Sequence, residues 1–185
     1  MSSDIFELSE NLEILTNQKF AFNNYSLFGI KLFDSADTIN KDLITSTTME
    51  PLPENSESWS LGEYNKVYIT QNNMKREYTL DERIIAIKEN QGRLFINGNF
   101  AYGIKDKKVV EFIIPEYKIK QFSKINRENI EEKFGKADFV KEDYDYQHGE
   151  LMNTYYIYKS RKMKIELDEW DNEIDLIILG EELKR

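Results

Sequence analysis

The sequence predicts an α+β fold of two similar units, each a short helix with an antiparallel β-sheet, joined into one curved sheet and preceded by an N-terminal amphipathic helix. Three observations indicate this fold: strand-length apolar runs bounded by turn residues, short segments of helical periodicity, and an internal repeat. The chain has 185 residues, of which 40% are hydrophobic and 13% aromatic, so it can bury a substantial core.

The composition excludes several functional classes. The chain has 34 acidic and 25 basic side chains, and its net charge of −9 argues against a nucleic-acid binder. It has no Cys and one His, which excludes disulfides, thiol nucleophiles and multi-His metal sites. We expect no metal and no cofactor. No segment reaches the ~20 apolar residues of a membrane span or has the pattern of a signal peptide, so we expect a cytoplasmic protein without membrane contact.

Residues 1–19 have the apolar spacing of a helix. The apolar positions recur at intervals of three and four residues, at Ile5, Leu8, Leu12 and Leu15. This spacing places them on one face of a helix, which Ser3 or Asp4 would cap. We expect this helix to dock on the rest of the protein.

Residues 20–115 are predicted to form the first unit. The clearest local signal is Asn97-Gly98 between two apolar-rich runs, which is typical of a β-hairpin turn. Strands are expected at residues 25–33, 66–70, 76–80, 83–88 and 109–114, a short helix at residues 35–43, and a long loop at residues 45–60, where two of the three prolines lie.

Residues 116–185 are predicted to form the second unit. A helix over residues 126–134 has Asn126 as its cap and Gly135 as its stop. Strands are expected at residues 155–159, 163–167 and 174–179, and the last two are joined by a polar turn at residues 168–173. This unit holds much of the acidity, because residues 138–185 have 13 acidic and seven basic side chains.

The two units share short matching segments at a spacing of roughly ninety residues, which favours an internal duplication. Tyr68-Ile69 matches Tyr156-Ile157, and Met74-Lys75-Arg76-Glu77 matches Met163-Lys164-Ile165-Glu166. Each copy then ends in an apolar run, at residues 84–87 and 174–177, for which we expect a strand in both units.

A short motif in the second unit resembles a known family. Residues 119–138, with Ile130, Phe134-Gly135-Lys136 and Asp138, resemble the β-lactamase-inhibitor-protein-like modules, although Ala137 stands where proline is usual. The resemblance implies helix-plus-sheet units in tandem, whose curved sheet grips a partner protein. It carries over no binding residue, because the matching positions are core and turn positions.

Catalytic and metal-binding chemistry finds little support in the sequence. A calcium loop beginning at Asp143 fails, because His148 and Thr154 occupy the positions that require glycine and a bidentate glutamate. A carboxylate enzyme site around Asp143, Asp145 and His148 is the least favoured of three functional hypotheses. We therefore expect no enzyme and no catalytic residue.

Aromatic residues among carboxylates instead indicate a protein-binding surface, since exposed Tyr and Trp dominate interface hot spots. The candidate partner-binding residues are Asp143, Tyr144, Asp145, Tyr146, Asp168, Glu169, Trp170 and Asp171. An acidic surface suits a basic partner, which favours an immunity or antitoxin-type inhibitor of a toxic, nuclease-like enzyme. The alternative is a non-catalytic structural or regulatory adaptor that uses the same sheet.

Overall fold

The computed structural model describes residues 5–19, 24–48, 52–97, 100–116, 119 and 122–181. Within these ranges the fold is mixed α+β, with open and mostly antiparallel sheets and two α-helices, α1 (Leu80–Glu89) and α2 (Ile130–Phe134). The strands are β1 (Phe6–Glu7), β2 (Tyr25–Leu27), β3 (Ile30–Lys31), β4 (Ile44–Thr47), β5 (Ser56–Leu61), β6 (Val67–Gln71), β7 (Met74–Glu77), β8 (Gln91–Ile96), β9 (Phe100–Lys105), β10 (Lys108–Pro115), β11 (Phe139–Tyr144), β12 (Leu151–Tyr158), β13 (Met163–Asp168) and β14 (Glu173–Gly180).

The largest sheet is antiparallel and has eight strands in the order β11-β12-β13-β14-β10-β9-β8-β4. Its central join is the β10–β14 pair, in which Phe112 lies opposite Leu179 and Ile114 opposite Ile177. Two three-stranded sheets, β1-β2-β3 and β5-β6-β7, complete the described structure. Strands from residues 20–115 and from residues 116–185 therefore belong to one sheet.

One face of the eight-stranded sheet forms the main core. Alternation along β12 buries Tyr156 and Tyr158, at 5% and 4% exposure, and directs Tyr155 and Ile157 to the second face. The residues in this core include several from the N-terminal segment and both helices: Leu8, Leu12, Leu15, Ile84, Ile87, Ile130 and Phe134. No helix in the described ranges has the length and apolar composition to cross a membrane.

The hairpin predicted at Asn97-Gly98 is confirmed in its strands, since β8 and β9 pair from Gln91 opposite Lys105 to Ile96 opposite Phe100. Gly98 itself lies outside the described residues. The predicted helix of residues 126–134 is shorter than expected, because α2 begins only at Ile130. Gly135 ends it with a φ of 88°, a conformation that favours glycine.

The predicted N-terminal helix of residues 1–19 is wrong over its described part. That segment consists of β1, turns and a short 3₁₀ helix at Glu13–Thr16, while Ser3 and Asp4 lie outside the described residues. The carboxylate of Glu7 accepts hydrogen bonds from the main-chain N–H groups of Phe28 at 2.6 Å and Gly29 at 2.9 Å. These bonds fasten the segment to the β2–β3 turn. The buried leucines reach the core from turns and from the 3₁₀ helix, in which Leu15 lies.

Two further elements differ from the sequence prediction. The strand expected at residues 83–88 is part of α1, which begins with a capping box between Thr79 and Glu82. The helix expected at residues 35–43 consists of two 3₁₀ turns, Ala36–Thr38 and Lys41–Leu43, capped by the side chains of Ser35 and Asn40. The loop expected at residues 45–60 contains most of β4 and most of β5.

The expectation of two similar units is not confirmed. Residues 84–87 lie in α1, whereas their proposed counterparts at residues 174–177 lie in β14. Tyr68-Ile69 and Tyr156-Ile157 both lie in strands, but in different sheets, because β6 belongs to the β5-β6-β7 sheet and β12 to the eight-stranded sheet. The matching segments therefore occupy different places in the structure, and residues 84–87 differ from residues 174–177 in their type of element.

Candidate functional site

Two turns lie side by side at one end of the eight-stranded sheet. The β11–β12 connection spans residues 145–150, and the β13–β14 connection spans residues 169–172. The register pairs Asn153 at the start of β12 with Asp168 at the end of β13. Hydrogen bonds fix the contact, since the Glu169 N–H donates to the carbonyl of Met152 at 3.0 Å. We call this region the acidic end and define it by residues 143–146 and 168–171.

Two carboxylates shape these turns. Asp145 accepts hydrogen bonds from the N–H groups of Gln147 at 3.0 Å and His148 at 3.1 Å, and its Oδ2 lies 2.6 Å from His148 Nδ1. These hydrogen bonds hold the pKa of Asp145 below its ordinary value, and the bond from Gln147 contributes most. Asp168 accepts the Trp170 N–H at 2.7 Å, an Asx turn. Both carboxylates are therefore used to position the loops.

Arg127 ties the acidic end to the segment that precedes α2. Its guanidinium forms ion pairs with Glu142 and, at 3.1 Å, with Glu169, and its main-chain N–H donates to Asn172 Oδ1 at 3.1 Å. The Glu169 side chain is only 11% exposed and also accepts from the hydroxyl of Thr154. A hydrogen bond from Tyr144, together with Arg127, holds the pKa of Glu142 below its ordinary value.

Three aromatic side chains project from the acidic end. Tyr144, Tyr146 and Trp170 are 53%, 101% and 69% exposed. Tyr144 donates its hydroxyl to Glu142 at 2.6 Å, and the indole N–H of Trp170 lies 3.3 Å from the sulfur of Met152. Tyr144 and Trp170 are each held by one hydrogen bond, and all three rings remain open to solvent.

The structure thus brings all eight candidate residues to one end of the sheet, in different roles. Asp145, Asp168 and Glu169 are engaged in turns and in the Arg127 network. Asp143 and Asp171 are exposed, and within the described ranges their carboxylates have no hydrogen bond or ion pair. The surface available to a partner therefore combines these two carboxylates with the three exposed rings.

The second face of the eight-stranded sheet forms an open groove of about 630 Å³ that adjoins the acidic end. Its apolar floor consists of Phe95, Ile113, Ile157, Leu176 and Ile178. Its charged residues are Arg93, Lys141, Asp143, Lys164 and Glu166. The ammonium groups of Lys164 and Lys141 lie 5.1 and 5.7 Å from the ring centre of Tyr155. Two cations and an aromatic ring are therefore grouped on this face.

Arg93, which lines the groove, forms an ion pair with the buried carboxylate of Glu111. Arg93 and Glu111 lie on either side of Gly103 in a row across β8, β9 and β10. The guanidinium reaches over the glycine, with Nε 3.0 Å from Oε2 and Nη2 3.2 Å from Oε1 of the fully buried carboxylate. A Cβ at Gly103 would lie 2.4 Å from Oε2, so only glycine leaves room for this pair.

Sequence reasoning did not identify Arg127 or the groove. Arg127 is 15 and 42 residues from its two carboxylate partners, so their contact depends on the tertiary structure. The groove had one usable signal, the alternation that places Tyr155 and Ile157 away from the core. Among the described residues no three His, Asp or Glu side chains are grouped as metal ligands would be. No protein-family model, curated protein or solved structure matches the chain.

Proposed function

We propose that the chain is a protein-binding inhibitor, an immunity or antitoxin-type protein that neutralises a basic, nuclease-like enzyme inside the cell. The observation that carries the proposal is the grouping of Tyr144, Tyr146 and Trp170 with the free carboxylates of Asp143 and Asp171 at the acidic end. The alternative, a regulatory adaptor, uses the same surface but does not block an activity.

The chemistry of the acidic end favours a protein partner. Exposed Tyr and Trp contribute large contact areas at little conformational cost, and Tyr144 and Trp170 are already oriented by hydrogen bonds. The free carboxylates steer a cationic partner, which raises association rates by ~10- to 1000-fold. Rapid capture suits an inhibitor that must act before its target does damage.

A binding experiment with matched variants tests the surface. The immobilised chain isolates its partner from the native host, and the dissociation constant of that partner is measured. We expect Trp170→Ala to weaken binding on the order of thirtyfold. We also expect Asp171→Lys to weaken binding, by a factor that grows as the salt concentration is lowered. Trp59→Ala and Glu54→Lys alter an exposed Trp and an exposed Glu outside the acidic end, so they should bind as the wild type does.

Two outcomes separate the hypotheses. If the chain suppresses the activity of the captured enzyme and restores growth on co-expression, it is an inhibitor; binding without loss of activity identifies an adaptor. If Trp170→Ala and Asp171→Lys bind as tightly as Trp59→Ala, the acidic end is not the interface. The melting temperatures of the four variants should match, since each replaced side chain is exposed.

A further inference from the structure

Strand β11 forms one edge of the eight-stranded sheet and pairs only with β12 among the described strands. All six of its residues are exposed, including Phe139, Val140 and Tyr144, which are each about half exposed at 52%, 51% and 53%. A strand at a sheet edge has a row of main-chain N–H and C=O groups that another strand can pair with. This edge is therefore a template for one more strand.

The side chains of β11 are complementary to those of a second β11 that runs in the opposite direction. A two-fold axis perpendicular to the sheet keeps each face continuous, so residues that meet across the axis must lie on the same face. Lys141 and Asp143 share the groove face. Val140, opposite the buried Tyr156, and Tyr144, whose hydroxyl bonds to Glu142 two residues earlier, lie on the other face. With the axis at Glu142, Lys141 meets Asp143 of the second copy, and Val140 meets Tyr144 of the second copy.

Each favourable pair occurs twice, once on either side of the axis. Opposite charges and aromatic–aliphatic pairs both stabilise antiparallel strands. Lys141 and Asp143 are free to pair, because within the described ranges neither has an ion pair and Lys141 only lies over Tyr155. Glu142 meets its own copy at the axis, and Arg127 compensates its charge in each chain.

The neighbouring registers are less favourable. An axis at Lys141 places two lysines opposite each other, and an axis at Asp143 places two aspartates opposite each other. Neither residue has a compensating ion pair within the described part of its own chain. Charge therefore selects the register centred on Glu142.

We propose that this chain forms a two-fold dimer by antiparallel pairing of β11 with β11 of a second copy, centred on Glu142. A six-residue edge makes a small interface, so the association is weak and depends on concentration. The dimer covers Asp143 and Tyr144, while Tyr146, Trp170 and Asp171 lie outside the paired strand. It does not depend on the proposed function, and a partner bound at the acidic end would compete with it.

Sedimentation equilibrium over a concentration series tests the proposal. The wild type should fit a monomer–dimer equilibrium. Lys141→Asp and Asp143→Lys each replace two attractions with two repulsions, so each should raise the dimer dissociation constant by roughly tenfold or more. Lys124→Asp changes an exposed lysine outside the strand and should leave the equilibrium unchanged.

A charge swap distinguishes pairing from a general charge effect. The double variant Lys141→Asp with Asp143→Lys restores both ion pairs and should dimerise as the wild type does. An equimolar mixture of the two single variants should form a heterodimer, because each Asp then meets a Lys. A wild type that stays monomeric at its highest soluble concentration, or a double variant and a mixture that fail to associate, would overturn the proposal. Circular dichroism confirms that every variant is folded.

Discussion

At the scale of single residues, the Arg93–Glu111 pair differs from the other ion pairs of the described ranges because its carboxylate is fully buried. The two side chains meet over Gly103, which lies between them in the row across β8, β9 and β10. A side chain at Gly103 would displace Glu111, so the ion pair requires a glycine there. Burial makes the loss of one partner expensive, because the remaining charge can reach neither water nor an opposite charge.

We expect Arg93→Met to lower the free energy of unfolding by about 3–5 kcal/mol, since it leaves Glu111 buried without a cation. The matched control is Lys41→Met, which breaks a 2.6 Å pair whose side chains are 57% and 61% exposed and should cost less than about 1 kcal/mol. Urea denaturation measures both values. Equal losses would show that the Arg93–Glu111 pair behaves as a surface pair.

At the scale of elements, α1 is a helix whose residues predict a strand. Its Ile84-Ile85-Ala86-Ile87 run has the β-branched residues of a strand, but Ile84 and Ile87 are buried three positions apart while Ile85 is 64% exposed. The capping box between Thr79 and Glu82 overrides the propensity of the run because it satisfies main-chain donors at the first turn.

Thr79→Ala should therefore lower the free energy of unfolding by about 1 kcal/mol, because the Glu82 N–H loses its acceptor. Thr79→Ser keeps a hydroxyl at the cap and is the conservative control, with a loss well below that of Thr79→Ala. Thermal denaturation followed by circular dichroism compares the two variants. An equal loss in both would assign the effect to the methyl group instead of the cap.

Local signals allowed some elements to be predicted and left others unrecognised. Asn97-Gly98 lies between two apolar runs that are adjacent in sequence and pair with each other, so the β8–β9 hairpin was predictable from local signals alone. β11 gave no signal, because a strand exposed on both faces lacks alternation. The turns at residues 145–150 and 169–172 were recognisable as polar, but their meeting depends on the register of β12 against β13.

At the scale of the whole molecule, the N-terminal segment is fastened at two places. Glu7 accepts hydrogen bonds from Ser9, Ser26, Phe28 and Gly29. Further along, the buried guanidinium of Arg161 donates to the carbonyls of Leu15 and, at 3.2 Å, of Phe134. The segment is thereby linked to the β2–β3 turn, to the end of α2 and to the β12–β13 connection.

Glu7 makes the first of these attachments sensitive to acid. Burial alone would raise the pKa of Glu7, but hydrogen bonds from Ser9, Gly29 and Ser26 outweigh it and hold the pKa below its ordinary value of 4.5. Stability from Glu7 is thus fully present above that value and is lost as pH falls through the lowered pKa.

Glu7→Gln should lower stability at neutral pH and reduce the further loss on acidification. Urea denaturation at a series of pH values measures this, with Glu10→Gln, an exposed position in the same segment, as the control. If the pH profiles of wild type and Glu7→Gln ran parallel from neutral pH into acid, the attachment would not depend on the ionised carboxylate.

The position of β14 has a consequence for how the protein is made. β14 is the most C-terminal of the described strands, yet it lies between β13 and β10 in the interior of the sheet. During synthesis, the edge of β10 that pairs with β14 stays unpaired until β14 is made. Its residues Phe112 and Ile114 cannot pair before Leu179 and Ile177 have emerged. The central join is a contact of long sequence separation, which slows folding and leaves an apolar strand open in the nascent chain. Completion of the described core is therefore tied to the translation of β14.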